Sequence, residues 1–203
     1  MAVFGSLATV DHPGRVILTD DPLRAKMLAA HHLECAALLY EQEDVLLYSG
    51  SYKEHPIALV STGFGQGAIL DYIHDAKRFG VEEILYIGEC LSTSRRHVIR
   101  SVILADGGDP SLMARACRAA TQFNIHSGLP YVFPENEITE DFDGVADSVT
   151  GDFYAHAKAE NIAALSVLTV TKNTVSGEQM EEHERRSRLY AAARLVFEVF
   201  ALN

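Results

Sequence analysis

The sequence predicts an α/β fold, a central sheet with helices packed on its faces. Three observations carry this. Ala164 to Val170 is an unbroken apolar run rich in β-branched residues, as expected of a strand covered on both sides. Glu83 to Glu89, EILYIGE, reads as a second central strand. Helical patterns alternate with such runs: Phe153, Tyr154, Ala157 and Ile162 form a loose stripe just before Ala164, with Asn161 as its stop.

Taken in order, Arg15 to Thr19 reads as the first strand. Asp20-Asp21-Pro22 then opens a helix, with an acid as N-cap and proline near the first helical position. Leu38 to Leu47 and Ile57 to Val60 read as strands of a meander around residues 49–54. Ser61 to Gly67, STGFGQG, is a Gly-rich turn that offers backbone N–H groups to a ligand and leads into a helix near Gln66. After Glu83–Glu89 come a strand from Val98 to Ala105, a helix from Asp109-Pro110 to about Phe123, and a strand from Ile125 to Val132. Pro130 to Asp143, rich in proline and acids, reads as an irregular loop. Glu178 to Phe200 reads as one long amphipathic helix, with Leu189, Ala192, Ala193, Val196, Val199 and Phe200 as its apolar stripe and Glu181 to Arg188 as a solvated face without chemistry.

Composition bounds the function. The chain has 203 residues, 48% of them hydrophobic, with no repeat, linker or low-complexity segment, so residues 1–203 read as a single domain. A net charge of −11 argues against nucleic acid and anionic membrane surfaces as partners. No apolar run reaches the length of a membrane span, and the N-terminus lacks the pattern of a signal peptide. Cys35, Cys90 and Cys117 are odd in number and widely spaced, which suggests reduced thiols and a cytoplasmic protein with neither a disulfide framework nor a zinc site. No cofactor or metal is expected. In α/β sheets ligands gather outside the carboxyl ends of the central strands. Thr171, Lys172 and Asn173, which follow Val170, are therefore expected at a pocket, although a solvated lysine at a strand end is the plainer reading of Lys172.

Four stretches carry a resemblance to a known family. AKAENIAALSVLTVT is similar to the late helix-strand unit of purine nucleoside and uridine phosphorylases. DDPLRAKMLA, at 20–29, resembles their phosphate loop, GDPLRAK; YSGSYKEHPIALVSTGFGQG, at 48–67, resembles their TGTYKG hairpin and Gly-rich loop; GVEEILYIGEC, at 80–90, resembles the strand that ends GSCG. Order and spacing agree over nearly the whole chain. The resemblance implies a three-layer phosphorylase-like fold, with a twisted, mixed central β-sheet flanked by helices. It also implies a homo-oligomer, dimer or hexamer, whose clefts are completed by a neighbour; Phe4 falls where a neighbour's N-terminal residue would approach.

The family's functional residues are largely replaced. Its phosphate arginine is retained as Arg24, but the preceding glycine is Asp20. Its second and third phosphate arginines fall at Glu43 and Tyr86, and its phosphate serine at Glu89. Two charges 4 Å apart at an effective dielectric of about 20 interact by about 4 kcal/mol, so one arginine among such acids does not hold a dianion. Arg24 is expected to pair with Glu89 or another acid instead. Phe64 replaces a methionine beside the sugar, and Tyr131 and Phe133 fall where the base would stack. The Glu-Met-Glu-like sugar motif falls at Asp147, Ser148 and Val149, and valine cannot grip a hydroxyl. The aspartate that protonates the departing base falls at Lys172.

These replacements lead to one expected reading and two alternatives. The first is an enzyme on the phosphorylase scaffold that transforms a small, rather apolar molecule without phosphate. Lys172, Glu89 and Asp147 would supply acid–base or lysine-assisted chemistry, and Arg24, Phe64, Tyr86, Tyr131, Phe133, Ser148 and Asn173 would bind the ligand. The second is a divergent nucleoside phosphorylase or N-glycoside hydrolase. The third is a noncatalytic subunit or ligand-binding protein.

Overall fold

A computed structural model describes residues 3, 5–6, 14–63, 66–130, 132–135, 138–139, 142–187 and 189–202. Its centre is a twisted, mixed sheet of ten strands. In chain order these are β1 (Arg15–Thr19), β2 (Glu34–Gln42), β3 (Val45–Tyr52), β4 (His55–Thr62), β5 (Glu83–Ser92), β6 (Val102–Leu104), β7 (Ser127–Gly128), β8 (Val132–Pro134), β9 (Val145–Asp147) and β10 (Ala163–Asn173). They lie in the order β2-β3-β4-β1-β5-β10-β6-β7, with β9 paired to the far end of β5 and β8 to β9. The core strands β4, β1, β5 and β10 run parallel, while β2, β3 and β4 form an antiparallel meander.

Helices cover both faces, giving three layers. Strand alternation decides which face each residue serves. Ile17, Ile57, Leu59, Leu85, Ile87, Leu165 and Val167 point to one face. There they meet α1 (Pro22–His32), α3 (Pro110–Gln122) and α6 (Tyr190–Ala201) through Leu28, Leu112 and Phe200 among others. Val16, Leu18, Ala58, Val60, Ile84 and Leu168 point to the other face, against Ile73 of α2 (Gln66–Arg78) and Phe153 of α4 (Thr150–Ala159). Phe153 is fully buried, and its truncation to alanine should cost about 3–5 kcal/mol. Tyr154 pins α4 to the sheet: its hydroxyl donates to the Ala105 carbonyl at 2.8 Å and accepts from the Ser166 N–H at 3.0 Å.

Several element boundaries differ from the sequence reading. The run from Leu38 to Leu47 is not one strand. Glu43 takes a left-handed φ of 52° and turns β2 into β3 without a glycine. The strand expected over Val98–Ala105 shortens to Val102–Leu104, because residues 93–101 form an irregular loop with Arg100 at φ 69°. Among the described residues of 125–132 there is only the two-residue strand β7 and the first residue of β8, and the loop expected over 130–143 contains β8. The long C-terminal helix is two helices, α5 (Glu182–Ser187) and α6, since Leu189 leaves helical geometry and buries its side chain. No helix among the described residues is long and apolar enough to cross a membrane.

Candidate functional site

The carboxyl ends of β1 and β5 open into a cleft of about 480 Å³, closed on one side by the β9–α4 junction and capped by α5. This is where the topology of an open α/β sheet leads ligands to bind. Its floor follows from the start of α1. Asp21 caps the helix by accepting from the backbone N–H groups of Leu23 and Arg24, and Pro22 occupies the first turn. That fixes Arg24 in the first turn with its guanidinium beneath the cleft, only 3% exposed.

Both terminal nitrogens of the Arg24 guanidinium donate to the protein's own oxygens, while Nε is buried without a partner among the described residues. Nη1 donates to Asp20 Oδ1 at 2.7 Å and to Thr19 Oγ1 at 3.1 Å; Nη2 donates to Glu89 Oε1 at 2.5 Å. The second oxygen of Glu89 accepts from Arg185 Nη1 at 3.1 Å, so the carboxylate is held between two guanidiniums. Glu89 reaches Arg24 and Arg185 because it shares the sheet face of Leu85 and Ile87, the face packed by α1.

Tyr86 lies on the opposite face of β5 and is 2% exposed, its ring tilted against Phe153 at 5.9 Å. The ring folds over Gly88, where a Cβ would come within 2.6 Å of the tyrosine hydroxyl, so only glycine fits there. Tyr86 lines the cleft from this side. Burial pushes its pKa well above the ordinary phenol value, with the Asp20 charge adding to the effect, so it is a neutral donor.

Asp147 ends β9 and is 5% exposed. It accepts from the Thr150 hydroxyl at 2.8 Å and from the Thr150 N–H at 3.1 Å, tying the strand end to the start of α4. Burial raises its pKa above the ordinary 3.8 even though these bonds pull the other way, and the charge of Glu135 adds to the rise. A buried carboxyl of raised pKa at a cleft wall is suited to proton donation.

The structure gathers part of the expected set. Arg24, Glu89, Tyr86, Asp147 and Ser148 surround this cleft. Lys172 does not project into it. A bulge at Thr171, between the pairs Val170–Cys90 and Lys172–Leu91, turns Thr171 and Asn173 inward and leaves Lys172 exposed within β10. Lys172 instead rims a smaller adjoining cavity of about 270 Å³ that shares Glu89, Glu135 and Arg185 with the cleft. Lys172 is thus a solvated strand-end lysine beside the main cleft, not within it.

Asn173 is structural. It is 1% exposed; Nδ2 donates to the carbonyls of Ser94 at 2.8 Å and His97 at 2.9 Å, and Oδ1 accepts from Val175 and Ser176 N–H. Phe133 stacks edge-on against Phe142 at 4.7 Å and lies outside the cleft lining. Glu43 sits exposed at the β2–β3 turn, outside that lining. Phe4, Phe64 and Tyr131 lie outside the described residues.

Sequence reasoning missed Asp21, Glu135, Glu182 and Arg185 as cleft residues. Glu182 and Arg185 sit in the charged run taken for a solvated face; with Leu189 outside helical geometry, α5 is separate from α6 and lies at the cleft. The lining therefore carries six carboxyl side chains, from Asp20, Asp21, Glu89, Glu135, Asp147 and Glu182, against Arg185 and the underlying Arg24. Such a cleft is polar and acidic, which corrects the expectation of a rather apolar ligand. Among the described residues no cluster of His, Cys, Asp or Glu is arranged to hold a metal ion.

No protein-family model matches the chain. Curated relatives match it nearly end to end. The purine nucleoside phosphorylase DeoD-type of Shewanella oneidensis is 28% identical over 226 residues, covering 95% of this chain and 96% of the relative. That of Geobacillus kaustophilus is 27% identical over 217 residues, covering 92% of each. Among solved structures, purine nucleoside phosphorylase from Toxoplasma gondii in complex with immucillin-H superposes with a TM-score of 0.81 at 15% identity, covering 93% of this chain and 90% of that one. This superposition confirms the expected three-layer α/β architecture. With relatives of one kind matching almost its full length and their fold shared, the chain is similar throughout to the nucleoside phosphorylase superfamily.

Proposed function

We propose that this chain is an enzyme that transforms a small polar molecule in the strand-end cleft by carboxyl acid–base chemistry, without inorganic phosphate. The observation that supports it most is Glu89 held between Arg24 and Arg185. A protein carboxylate occupies the donors that an anionic co-substrate would need, and the remaining acids repel a dianion. Asp147 is the proton donor in this reading, because burial favours its protonated form. Tyr86 and Ser148 orient the substrate from the same wall, and Lys172 acts only from the adjoining cavity. The test is turnover of candidate nucleosides and related small molecules with and without phosphate. Activity that requires phosphate would sink the reading.

The relatives favour a second reading, cleavage of an N-glycosidic bond by a divergent phosphorylase or hydrolase. Chromatographic detection of free base released from a nucleoside supports it, and release only in the presence of phosphate assigns phosphorolysis.

The chain is also proposed to work as a homo-oligomer in the cytoplasm. β2 lies at one end of the sheet, largely exposed, and carries Ala36, Ala37 and Leu38 on an edge that pairs with no further strand among the described residues. A long apolar edge strand invites a partner. Light scattering at micromolar concentration should show an assembly larger than one chain; monomer alone counts against it.

A further inference from the structure

We propose that the smaller cavity beside the cleft seats the carboxylate of a small organic acid, held between the free edge of Arg185 and the ammonium of Lys172. The inference rests on the reading that the strand-end cleft is the working site, where the rest of such a ligand would lie, but not on phosphate independence. Two independent observations lead to it.

The first is the edge of Arg185. Its Nη1 donates to Glu89 Oε2 at 3.1 Å. Its Nε is buried with no acceptor among the described residues, and Nη2 makes no hydrogen bond there either. A buried donor without an acceptor is rare and calls for one. Nε and Nη2 form one edge of the planar guanidinium, a pair of parallel N–H groups that matches the two oxygens of a carboxylate. The backbone at this point is tied to the cleft floor, since the Arg185 carbonyl accepts from Arg24 Nη2 at 3.4 Å.

The second is Lys172, which lines the same cavity of about 270 Å³. It comes from β10 and Arg185 from α5, and its ammonium has neither ion pair nor hydrogen bond among the described residues. The backbone around it is fixed: Lys172 forms a β-bridge with Gln179, and the Met180 N–H donates to the Thr171 carbonyl at 2.8 Å. Thr171, 6% exposed, shares the lining, and its hydroxyl makes no hydrogen bond among the described residues. Glu89 and Glu135 line the cavity too. Glu89 is already shared by two guanidiniums, and Glu135 is exposed, where water and salt screen its charge. A planar monoanion fits one guanidinium edge and one ammonium, whereas a phosphate dianion would set a second charge beside these acids.

Benzoate, benzamide and benzamidinium are close in shape and differ in charge, and NMR titration of the full chain with each tests the proposal. At low salt and neutral pH, benzoate should bind at least about tenfold more tightly than benzamide and benzamidinium most weakly, with the preference shrinking as salt is added. Lys172→Met alters an exposed side chain and should fold normally by circular dichroism. It should weaken benzoate by about fivefold to tenfold and leave benzamide unchanged. Lys172→Glu should abolish the preference for benzoate. Arg185→Lys keeps a positive charge near Glu89 but has no planar edge, and should weaken benzoate several-fold. Absence of benzoate binding overturns the inference. So does benzamide that binds as tightly as benzoate, or a benzoate preference that survives both Lys172 variants. Inorganic phosphate as a fourth probe separates the claims. Saturable phosphate binding beside a Lys172-dependent benzoate preference sinks phosphate independence and leaves the carboxylate seat; failure of both anions to bind does the reverse.

Discussion

Arg24 and Glu89 meet at 2.5 Å, Nη2 to Oε1, at the floor of the strand-end cleft. Glu89→Gln would leave the buried Arg24 guanidinium facing an amide in place of a carboxylate. Removing one partner of a fully buried pair costs about 3–5 kcal/mol. Glu89 remains 23% exposed, so water screens part of the loss and about 2–3 kcal/mol is expected. Urea denaturation of the variant measures it. A loss below about 0.5 kcal/mol would show that the pair contributes nothing to the fold.

Asp147 gives a prediction with a sign. Its pKa in the folded protein lies above the ordinary value, chiefly through burial, so the fold prefers its protonated form. The stability this contributes is fully present below the unfolded pKa of 3.8 and is lost as pH rises through the folded pKa. Asp147→Asn stays neutral throughout. The stability difference between the two proteins should therefore move in favour of the variant as pH rises from below 4 toward 7. Turnover should fall by about a hundredfold or more in Asp147→Asn, the usual scale for a positioned proton donor. A difference that is flat with pH, or full turnover by the variant, contradicts the assignment.

The neighbours Asn173 and Lys172 should behave in opposite ways. Asn173→Ala removes the donor and acceptor that pin residues 94–97 to the 173–177 turn, and should cost about 2–4 kcal/mol. Lys172→Met alters an exposed side chain and should change stability by less than about 0.5 kcal/mol. Because Lys172 faces only the adjoining cavity, its loss should lower turnover by less than about tenfold. Thermal melts and turnover measured side by side on the two variants check both halves.

The central strands and the α1 cap were legible in the sequence because their signals are local. β1 spans the residues expected, Asp21 caps α1 as its position before proline implies, and Ala164–Val170 lies within β10. The pairing of Arg24 with Glu89 was also legible, through the arithmetic of one arginine among acids. Three features were not. The turn at Glu43 uses neither glycine nor proline, so nothing marked it. The bulge at Thr171 reverses the inward and outward sense of the next two residues, and a periodicity argument carries no sign of it. Arg185 and Glu182 sit in a segment whose charge pattern fits a solvated helix face, and nothing in that pattern marks α5 as a separate helix at the cleft.

Phosphate titration by calorimetry tests whether Glu89, the protein's own carboxylate, takes the place of an anion between Arg24 and Arg185. The native protein should give no saturable heat with millimolar phosphate. Glu89→Gln should gain measurable phosphate binding, because it frees the Arg24 and Arg185 donors. Tight, saturable phosphate binding by the native protein, abolished in Arg24→Ala, would contradict the claim.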